Sequence, residues 1–125
     1  MRIRALDHLV LTVSDPEATV AFYERLGMRR DEFGDGRLAL RFGAQKINLH
    51  QAGSEFEPHA ARPVPGSGDL CLLVDGALDD VRAELEAGGI AVELGPVERT
   101  GAEGPLRSVY VRDPDGNLVE LSEPA

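Results

Sequence analysis

The chain has 125 residues, which is enough for one domain with an apolar core but not for two independent domains. Its formal net charge of -9 at pH 7 argues against nucleic acid and anionic membranes as partners, because a strongly acidic surface repels both. A single cysteine, Cys71, excludes an intrachain disulfide. No secretory signal or membrane span is visible, so we expect a cytoplasmic protein.

The first half of the chain has the alternation and the turn residues of a βαβββ module. The segment Ser14-Asp-Pro-Glu17 is typical of a capping box, and Gly27 is a typical helix stop. The predicted elements are a strand at 5–13, a helix that follows the capping box to Leu26, strands near 28–33 and 37–42, and a strand that ends at His50.

The second half repeats this order. The predicted elements are a strand at 69–74, a helix at 77–87, and strands near 90–94, 106–112 and 117–122. The proline-bearing segment 52–67 is expected to link the halves. We therefore predict one α+β domain in which module 1 (about 4–51) and module 2 (about 68–123) form a curled mixed sheet around a cleft.

The two halves have the pattern of a duplicated unit. An offset of 61 residues places His8 on Asp69, and an offset of 70 places His50 on Glu120. Nine extra residues are therefore expected in the second half, in the Gly- and Pro-bearing stretch 95–105. A long repeat that occurs only twice favours a duplicated domain over a solenoid.

Four potential metal ligands stand at the matching points of the two halves: His8, His50, Asp69 and Glu120. Side chains alternate along strands, so all four are expected on the faces away from the helices, where a cleft would collect them. Two imidazoles and two carboxylates suit a divalent first-row metal such as Zn, Ni, Mn, Fe or Co, with open positions for water or substrate.

The same alternation predicts cationic and polar side chains on the cleft faces. The predicted substrate-binding residues are Arg41, Lys46, Asn48 and Tyr110, and Arg112 is a further cation on this side. Cations beside a metal ion oppose its binding unless an anion is also present. Their presence therefore favours a substrate with a carboxylate, phosphonate or phosphate group.

Each of these residues also has an ordinary structural interpretation. Taken singly, His8 is typical of a hydrogen-bonded structural histidine, Asp69 of a turn residue and Glu120 of a solvated carboxylate. Their joint placement in two copies favours the site. We expect His59 of the linker at the surface, with a lid role as the alternative, and Cys71 as a small packing side chain on the core side rather than a nucleophile.

The opening Asp7-His-Leu-Val-Leu-Thr-Val13 and the closing Arg112-Asp-Pro-Asp-Gly-Asn-Leu-Val-Glu-Leu121 resemble the vicinal oxygen chelate superfamily, which includes glyoxalase I, fosfomycin-resistance thiol transferases, extradiol dioxygenases and bleomycin-binding proteins. The segments Phe42-Gly-Ala-Gln-Lys-Ile-Asn-Leu-His50 and Gly95-Pro-Val-Glu-Arg-Thr-Gly101 are similar to small bacterial glyoxalase I-like proteins. The resemblance covers nearly the whole chain.

This resemblance implies paired βαβββ modules around one divalent metal, usually in a homodimer, with ligands at His8, His50, Asp69 and Glu120. It implies a glyoxalase-like lyase or isomerase in which Glu120 is the catalytic base and a low-molecular-weight thiol is a candidate co-substrate. The expected partner is a small, oxygen-chelating molecule. Whether the site forms within one chain or across the dimer stays open.

Two alternatives remain: a fosfomycin-type thiol or water transferase, and a metal-free bleomycin-type ligand-binding protein. Many members of the superfamily have histidine where this chain has Asp69, among them the extradiol dioxygenases. That difference disfavours dioxygenase chemistry. It leaves the choice of metal and of substrate open, since one fold supports several chemistries.

Overall fold

The computed structural model describes residues 1–125 and confirms the α+β class with two βαβββ modules. The chain divides into two compact units, residues 1–67 (unit 1) and residues 68–125 (unit 2). Each unit contains one helix and one four-stranded mixed sheet. Neither helix has the length and apolar character needed to cross a membrane.

Unit 1 consists of a sheet with one helix against it. Its elements are β1 (His8–Val13), α1 (Pro16–Arg25), β2 (Arg29–Phe33), β3 (Arg37–Phe42) and β4 (Gln45–Gln51). The strand order is β1-β4-β3-β2, in which β1 and β4 are parallel and the other neighbours are antiparallel. A parallel pair needs a long crossover, which α1, β2 and β3 supply here.

Asp15, and not the Ser14 of the predicted capping box, is the N-cap of α1. Its carboxylate accepts hydrogen bonds from the backbone N–H groups of Glu17 and Ala18, at 3.1 and 3.3 Å. The extended backbone at Asp15 places its short side chain over the first free N–H groups of the helix. Pro16 follows in the first turn, where a missing N–H costs no hydrogen bond.

The apolar core of unit 1 lies between α1 and the sheet, since α1 packs against β2, β3 and β4. Its buried side chains include Leu11, Val13, Val20, Tyr23, Leu40, Ile47 and Leu49. The strand residues among them lie on the face toward the helix, because residues two apart on a strand share a face. The other face of the sheet is left for polar side chains.

Unit 2 has the same layout. Its elements are β5 (Asp69–Leu73), α2 (Leu78–Ala87), β6 (Leu94–Gly101), β7 (Gly104–Arg112) and β8 (Leu118–Pro124). The strand order is β5-β8-β7-β6, with β5 and β8 parallel. The buried side chains include Leu78, Leu85, Ile90, Val109, Val111, Val119 and Leu121.

The stretch 95–105, expected as an insertion between strands, belongs mostly to β6 and β7, which are joined by a tight turn at Gly101–Gly104. Pro96 fits because the pairing register is irregular between Leu94 and Val97, so its missing N–H interrupts no regular ladder. Gly95 lies against β7, where an added Cβ would stand 2.4 Å from the carbonyl oxygen of Ser108. Arg99 lies on β6.

The closing motif forms the turn before β8. One carboxylate oxygen of Asp113 accepts hydrogen bonds from the backbone N–H groups of Asp115 and Asn117, and the other accepts from the Asn117 side chain at 2.7 Å. The Asn117 side-chain oxygen accepts from the N–H of Gly68, at 2.7 Å. This turn therefore fixes the start of β8 next to the start of β5, which sets the position of Glu120.

Candidate functional site

In unit 1 the pairing of β1 with β4 defines a polar sheet face. His8, Val10 and Thr12 stand opposite Lys46, Asn48 and His50. Arg41 of β3 stands opposite Lys46 and belongs to the same face. The register therefore confirms the prediction that these side chains share one face of the sheet.

The register also corrects the alignment of the two copies. His8 is opposite Lys46 and Asp69 is opposite Leu118, so β4 corresponds to β8 with an offset of 72 rather than 70. The counterpart of Glu120 is therefore Asn48, and the counterpart of His50 is Ser122. A shift of two residues keeps each side chain on the same face, but it moves His50 along the strand.

His8 and His50 are not brought together. His8 lies at the start of β1 with an exposed imidazole whose Nδ1 is 2.7 Å from Asp7. His50 stands opposite Thr12, four residues further along β1, which corresponds to about 13 Å at about 3.3 Å per residue. Two imidazoles on one zinc ion each lie about 2 Å from it, so side chains this far apart on one face do not converge on a single ion.

His50 is the most enclosed polar group of this face, with only 3% of its surface exposed. Both of its ring nitrogens are buried and have no hydrogen-bond partner. Burial, and next the positive charge of Arg37, lower the pKa of His50 below its ordinary value, so the ring is neutral at pH 7. A neutral imidazole offers one N–H donor and one acceptor, and neither is used here.

Two cations of the same face lie over aromatic rings. The guanidinium of Arg37 lies over Phe56 at 4.5 Å and over Phe33 at 5.1 Å, and the ammonium of Lys46 lies over Phe33 at 3.9 Å. Arg41 instead donates to Asp31 at 2.8 Å. Lys46 makes no ion pair and acts on Asp7 only through its charge, whereas the charge of Arg41 is partly neutralised by Asp31.

In unit 2 Glu120 takes part in a chain of hydrogen bonds. Ser108 donates to Oε2 of Glu120 at 2.6 Å, and Ser122 lies 2.6 Å from Ser108 and 3.3 Å from the same Oε2. Because the one hydroxyl hydrogen of Ser108 points to Glu120, Ser122 is the donor between the two serines. Cys71 lies 3.2 Å from the Ser122 hydroxyl and completes the chain as a thiol donor.

Cys71 is not the core-side packing residue expected from the sequence, because it is exposed on the polar face opposite Glu120. Partial burial still raises the pKa of its thiol, the hydrogen bond to Ser122 opposes this, and the charge of Glu120 adds to it. A thiol that stays protonated is consistent with its place as a donor at the start of the chain.

The other predicted residues of unit 2 lie near Glu120. Tyr110 stands opposite Glu120 on β7, and its hydroxyl accepts a hydrogen bond from Arg99 at 2.8 Å. Asp69 is exposed on the same face. It stands opposite Leu118 and lies two residues before Cys71, the strand partner of Glu120. Arg112 is bound to Glu93 through two hydrogen bonds of 3.0 and 3.1 Å, so it is not a free cation.

The four predicted ligands, His8, His50, Asp69 and Glu120, do not come together as one metal-binding cluster. No group of three or more His, Cys, Asp or Glu side chains is arranged to hold a metal ion. Unit 2 places two carboxylates, Asp69 and Glu120, on one face of neighbouring strands. Unit 1 places His8 and Asn48 in the matching positions, and the side-chain oxygen of Asn48 is buried without a partner.

The sequence pattern left three features of the candidate site undefined. It gave no role to Arg37, which the antiparallel pairing of β3 and β4 places beside His50. It did not identify Ser122, although alternation from Glu120 puts that hydroxyl on the same face. It left His59 at the surface, where the side chain is exposed as expected but also forms the wall of a pocket next to His50.

Close relatives extend over the whole chain. The virulence protein STM3117 of Salmonella typhimurium strain LT2 is 56% identical over 124 residues, which cover 98% of this chain and 86% of that protein. Its crystal structure matches with a TM-score of 0.98 and covers 100% of both chains. The glyoxalase domain-containing protein RDO1 of Mycosarcoma maydis is 57% identical over 122 residues, which cover 98% of this chain and 69% of that protein.

Two more distant crystal structures differ in what they are described to do. Lactoylglutathione lyase from Agrobacterium tumefaciens is 27% identical with a TM-score of 0.74, and the match covers 98% of this chain and 95% of that one. TnmS3, an antibiotic-binding protein from Streptomyces sp. CB03234, is 28% identical with a TM-score of 0.76, and the match covers 100% of this chain and 99% of that one.

The family model described as Glyoxalase/Bleomycin resistance protein/Dioxygenase superfamily matches residues 5–121. That range includes both βαβββ modules and all the residues discussed above. The resemblance inferred from the opening and closing motifs is confirmed, and the chain belongs to this superfamily.

Proposed function

We propose that the chain catalyses a glyoxalase-type lyase or isomerase reaction on a small substrate with adjacent oxygen atoms, and that Glu120 moves a proton between neighbouring carbons. The proposal rests on the hydrogen bond that Oε2 of Glu120 accepts from Ser108 at 2.6 Å, with the Ser122 hydroxyl 3.3 Å from the same oxygen. In this proposal the other oxygen, Oε1, takes the substrate proton.

In the proposed step, Oε1 of Glu120 takes a proton from the carbon next to a carbonyl group. The electrons of the broken C–H bond form an enediolate, and the carboxyl group returns the proton to the neighbouring carbon. Ser108 is fully buried and holds Oε2, so the carboxylate enters the reaction already oriented. Tyr110, directly opposite, is the proposed contact for a substrate oxygen.

A divalent metal ion is part of the proposal, because members of this superfamily often use one. The donor chemistry of Asp69 and Glu120 suits such an ion, and both carboxylates lie on one face of unit 2. His8 remains a proposed ligand in unit 1, whereas His50 does not, because the register separates the two imidazoles. When bound, the ion supplies Lewis-acid polarisation of the substrate oxygens.

The proposal that the substrate is anionic depends mainly on Lys46. Arg41 and Arg112, the other cations predicted for this role, are engaged by Asp31 and Glu93. Lys46 and Asn48 stand on one face of β4, and the unpartnered oxygen of Asn48 can accept a hydrogen bond from a substrate hydroxyl. Both remain proposed substrate-binding residues.

A second candidate function is the sequestration of a small molecule without turnover. The similarity to the antibiotic-binding protein TnmS3 supports it, as do the unpartnered buried polar atoms of Asn48 and His50, which a tightly held ligand would satisfy. The homodimer is a proposal in either case. It rests on the family resemblance and on the tendency of exposed sheet edges to pair.

The test is a turnover screen of hemithioacetals, formed from 2-oxoaldehydes and several low-molecular-weight thiols, with each first-row divalent metal. Glu120→Gln keeps the size of the side chain and removes the base. We expect it to lower kcat by about 10²–10⁴-fold, the usual contribution of a positioned general base. Glu98→Gln changes an exposed carboxylate of the same unit and is expected to keep the activity of the wild type.

Equal activity of Glu120→Gln and the wild type would contradict the proposed role. Saturable binding of a ligand without turnover under any metal would support sequestration instead. Epoxide opening in the absence of hemithioacetal turnover would support the transferase alternative.

A further inference from the structure

Unit 1 contains a pocket of about 390 Å³ on the polar face of its sheet. We call it the His50 pocket, and its walls are formed by Val10, Thr12, His50, Pro58, His59 and Ala60. The strands β1 and β4 supply the floor, and the linker supplies the outer wall. The volume lies in the range of small-molecule sites, and all the lining residues belong to one unit.

The floor of this pocket contains a polar group with no partner. His50 is 97% buried, and neither ring nitrogen has a hydrogen-bond partner. Nearly all buried polar side-chain atoms in proteins are hydrogen-bonded, so a pair of unused atoms on one ring is a sign of an absent ligand. Phe56 covers the ring edge-on at 5.6 Å, which shields it from bulk water.

The charges around His50 favour an anion. Arg37 exerts the strongest charge effect on the ring, and its Nε is buried without a hydrogen-bond partner. Glu55 and His59 are the other titratable groups that act on His50, and the effect of Arg37 exceeds that of Glu55. A neutral imidazole can donate a hydrogen bond through its N–H group. A carboxylate accepts such a hydrogen bond and is also attracted by the positive charge of Arg37.

We propose that the His50 pocket binds the carboxylate group of a small organic acid, which accepts a hydrogen bond from a ring nitrogen of His50. The apolar part of the acid lies against Val10, Pro58 and Ala60. Both nitrogens are almost fully enclosed, so the linker wall at His59 and Ala60 shifts outward when the acid enters. The proposal rests on unit 1 alone and does not depend on the role of Glu120 in unit 2.

The test uses butyrate as the probe and butyramide as its uncharged counterpart. Binding is followed by NMR through the imidazole signals, which a His50→Gln variant assigns, and by calorimetry. We expect butyrate to shift the His50 signals saturably and butyramide to have at least tenfold weaker affinity, since one lost charge-assisted hydrogen bond corresponds to about that factor.

The matched variants are Ala60→Phe and Ala61→Phe. Both positions are exposed linker alanines, but only Ala60 lines the pocket. We expect Ala60→Phe to fill the pocket and lower butyrate affinity at least about tenfold, and Ala61→Phe to bind like the wild type. These surface changes leave the buried His50 in place, so they test the site even if His50→Gln fails to fold.

Three outcomes would overturn the proposal. The first is the absence of any saturable butyrate-induced shift of the His50 signals, which would mean that water alone satisfies the ring. The second is equal binding of butyrate and butyramide. The third is equal butyrate affinity in Ala60→Phe and Ala61→Phe, which would place the anion elsewhere.

Discussion

In unit 2 the carboxylate of Glu120 accepts a hydrogen bond from Ser108, which is held in turn by Ser122, whereas in unit 1 the imidazole of His50 has no hydrogen-bond partner. The two side chains occupy the same face of the same βαβββ arrangement. One unit thus holds its reactive group in a fixed orientation, and the other leaves donors and acceptors unused. A side chain held by hydrogen bonds is oriented for catalysis, whereas a buried side chain with unused hydrogen-bonding atoms favours ligand binding.

The largest expected effect is on metal affinity, which should distinguish Glu120 from His50. Glu120→Ala removes a proposed ligand and should weaken binding of Zn, Ni or Co by at least about 100-fold, since even changes around a ligand cost 10–100-fold. His50→Ala should leave metal affinity unchanged, because the register keeps His50 away from His8. Competition titration with a chromogenic chelator measures both. Loss of metal from His50→Ala would restore the four-ligand set predicted from the sequence.

The next effect concerns stability. Ser108→Ala removes a buried donor from the carboxylate of Glu120 and also removes the nearest acceptor of the Ser122 hydroxyl. We expect the free energy of unfolding to fall by about 1–3 kcal/mol, as measured by urea denaturation. In unit 1, Asn48→Leu removes a buried oxygen that has no partner, so a change close to zero is expected. Equal losses in the two variants would show that the Asn48 oxygen is satisfied in solution.

The sequence predicted the faces of the strands but not the positions along them. A wrong offset of 70 still placed His50 and Glu120 on polar faces, because a correction of two residues preserves the alternation of side chains. Their places along the sheet depend on hydrogen-bond register, which turns fix. The Asp113 turn sets that register in unit 2 through contacts with Asn117 and Gly68, and alternation alone does not reveal these contacts.

The pocket in unit 1 could not be predicted from sequence patterns, for a different reason. Its outer wall comes from Pro58, His59 and Ala60, which lie in a segment without periodic structure. The ion pairs of Arg41 with Asp31 and of Arg112 with Glu93 depend on which rotamers long side chains adopt. The anion hypothesis changed at these two arginines, whereas the fold class did not.

The helices give a smaller contrast between the units. Asp15 caps α1 through its side chain, whereas Ala77 at the same place in α2 has no side chain that can accept a hydrogen bond. Asp15→Ala should lower the free energy of unfolding by about 0.5–2 kcal/mol, and Ala77→Ser should raise it by up to about 1 kcal/mol. The gain is the smaller of the two because Glu123 already accepts from the N–H of Leu78, at 2.9 Å. Denaturant midpoints at constant slope measure both changes.

The smallest effect is a pH dependence that belongs to unit 1. Burial and Arg37 lower the pKa of His50 in the folded chain below its ordinary value of 6.5, so the unfolded chain binds a proton first as the pH falls. Stability should therefore decline from pH 6.5 downward until the folded chain is also protonated at His50. His50→Leu removes this contribution, so its free energy of unfolding should decline less steeply than that of the wild type over the same window. Parallel curves would mean that His50 is protonated as readily in the folded chain as in the unfolded one, which would contradict the lowered pKa.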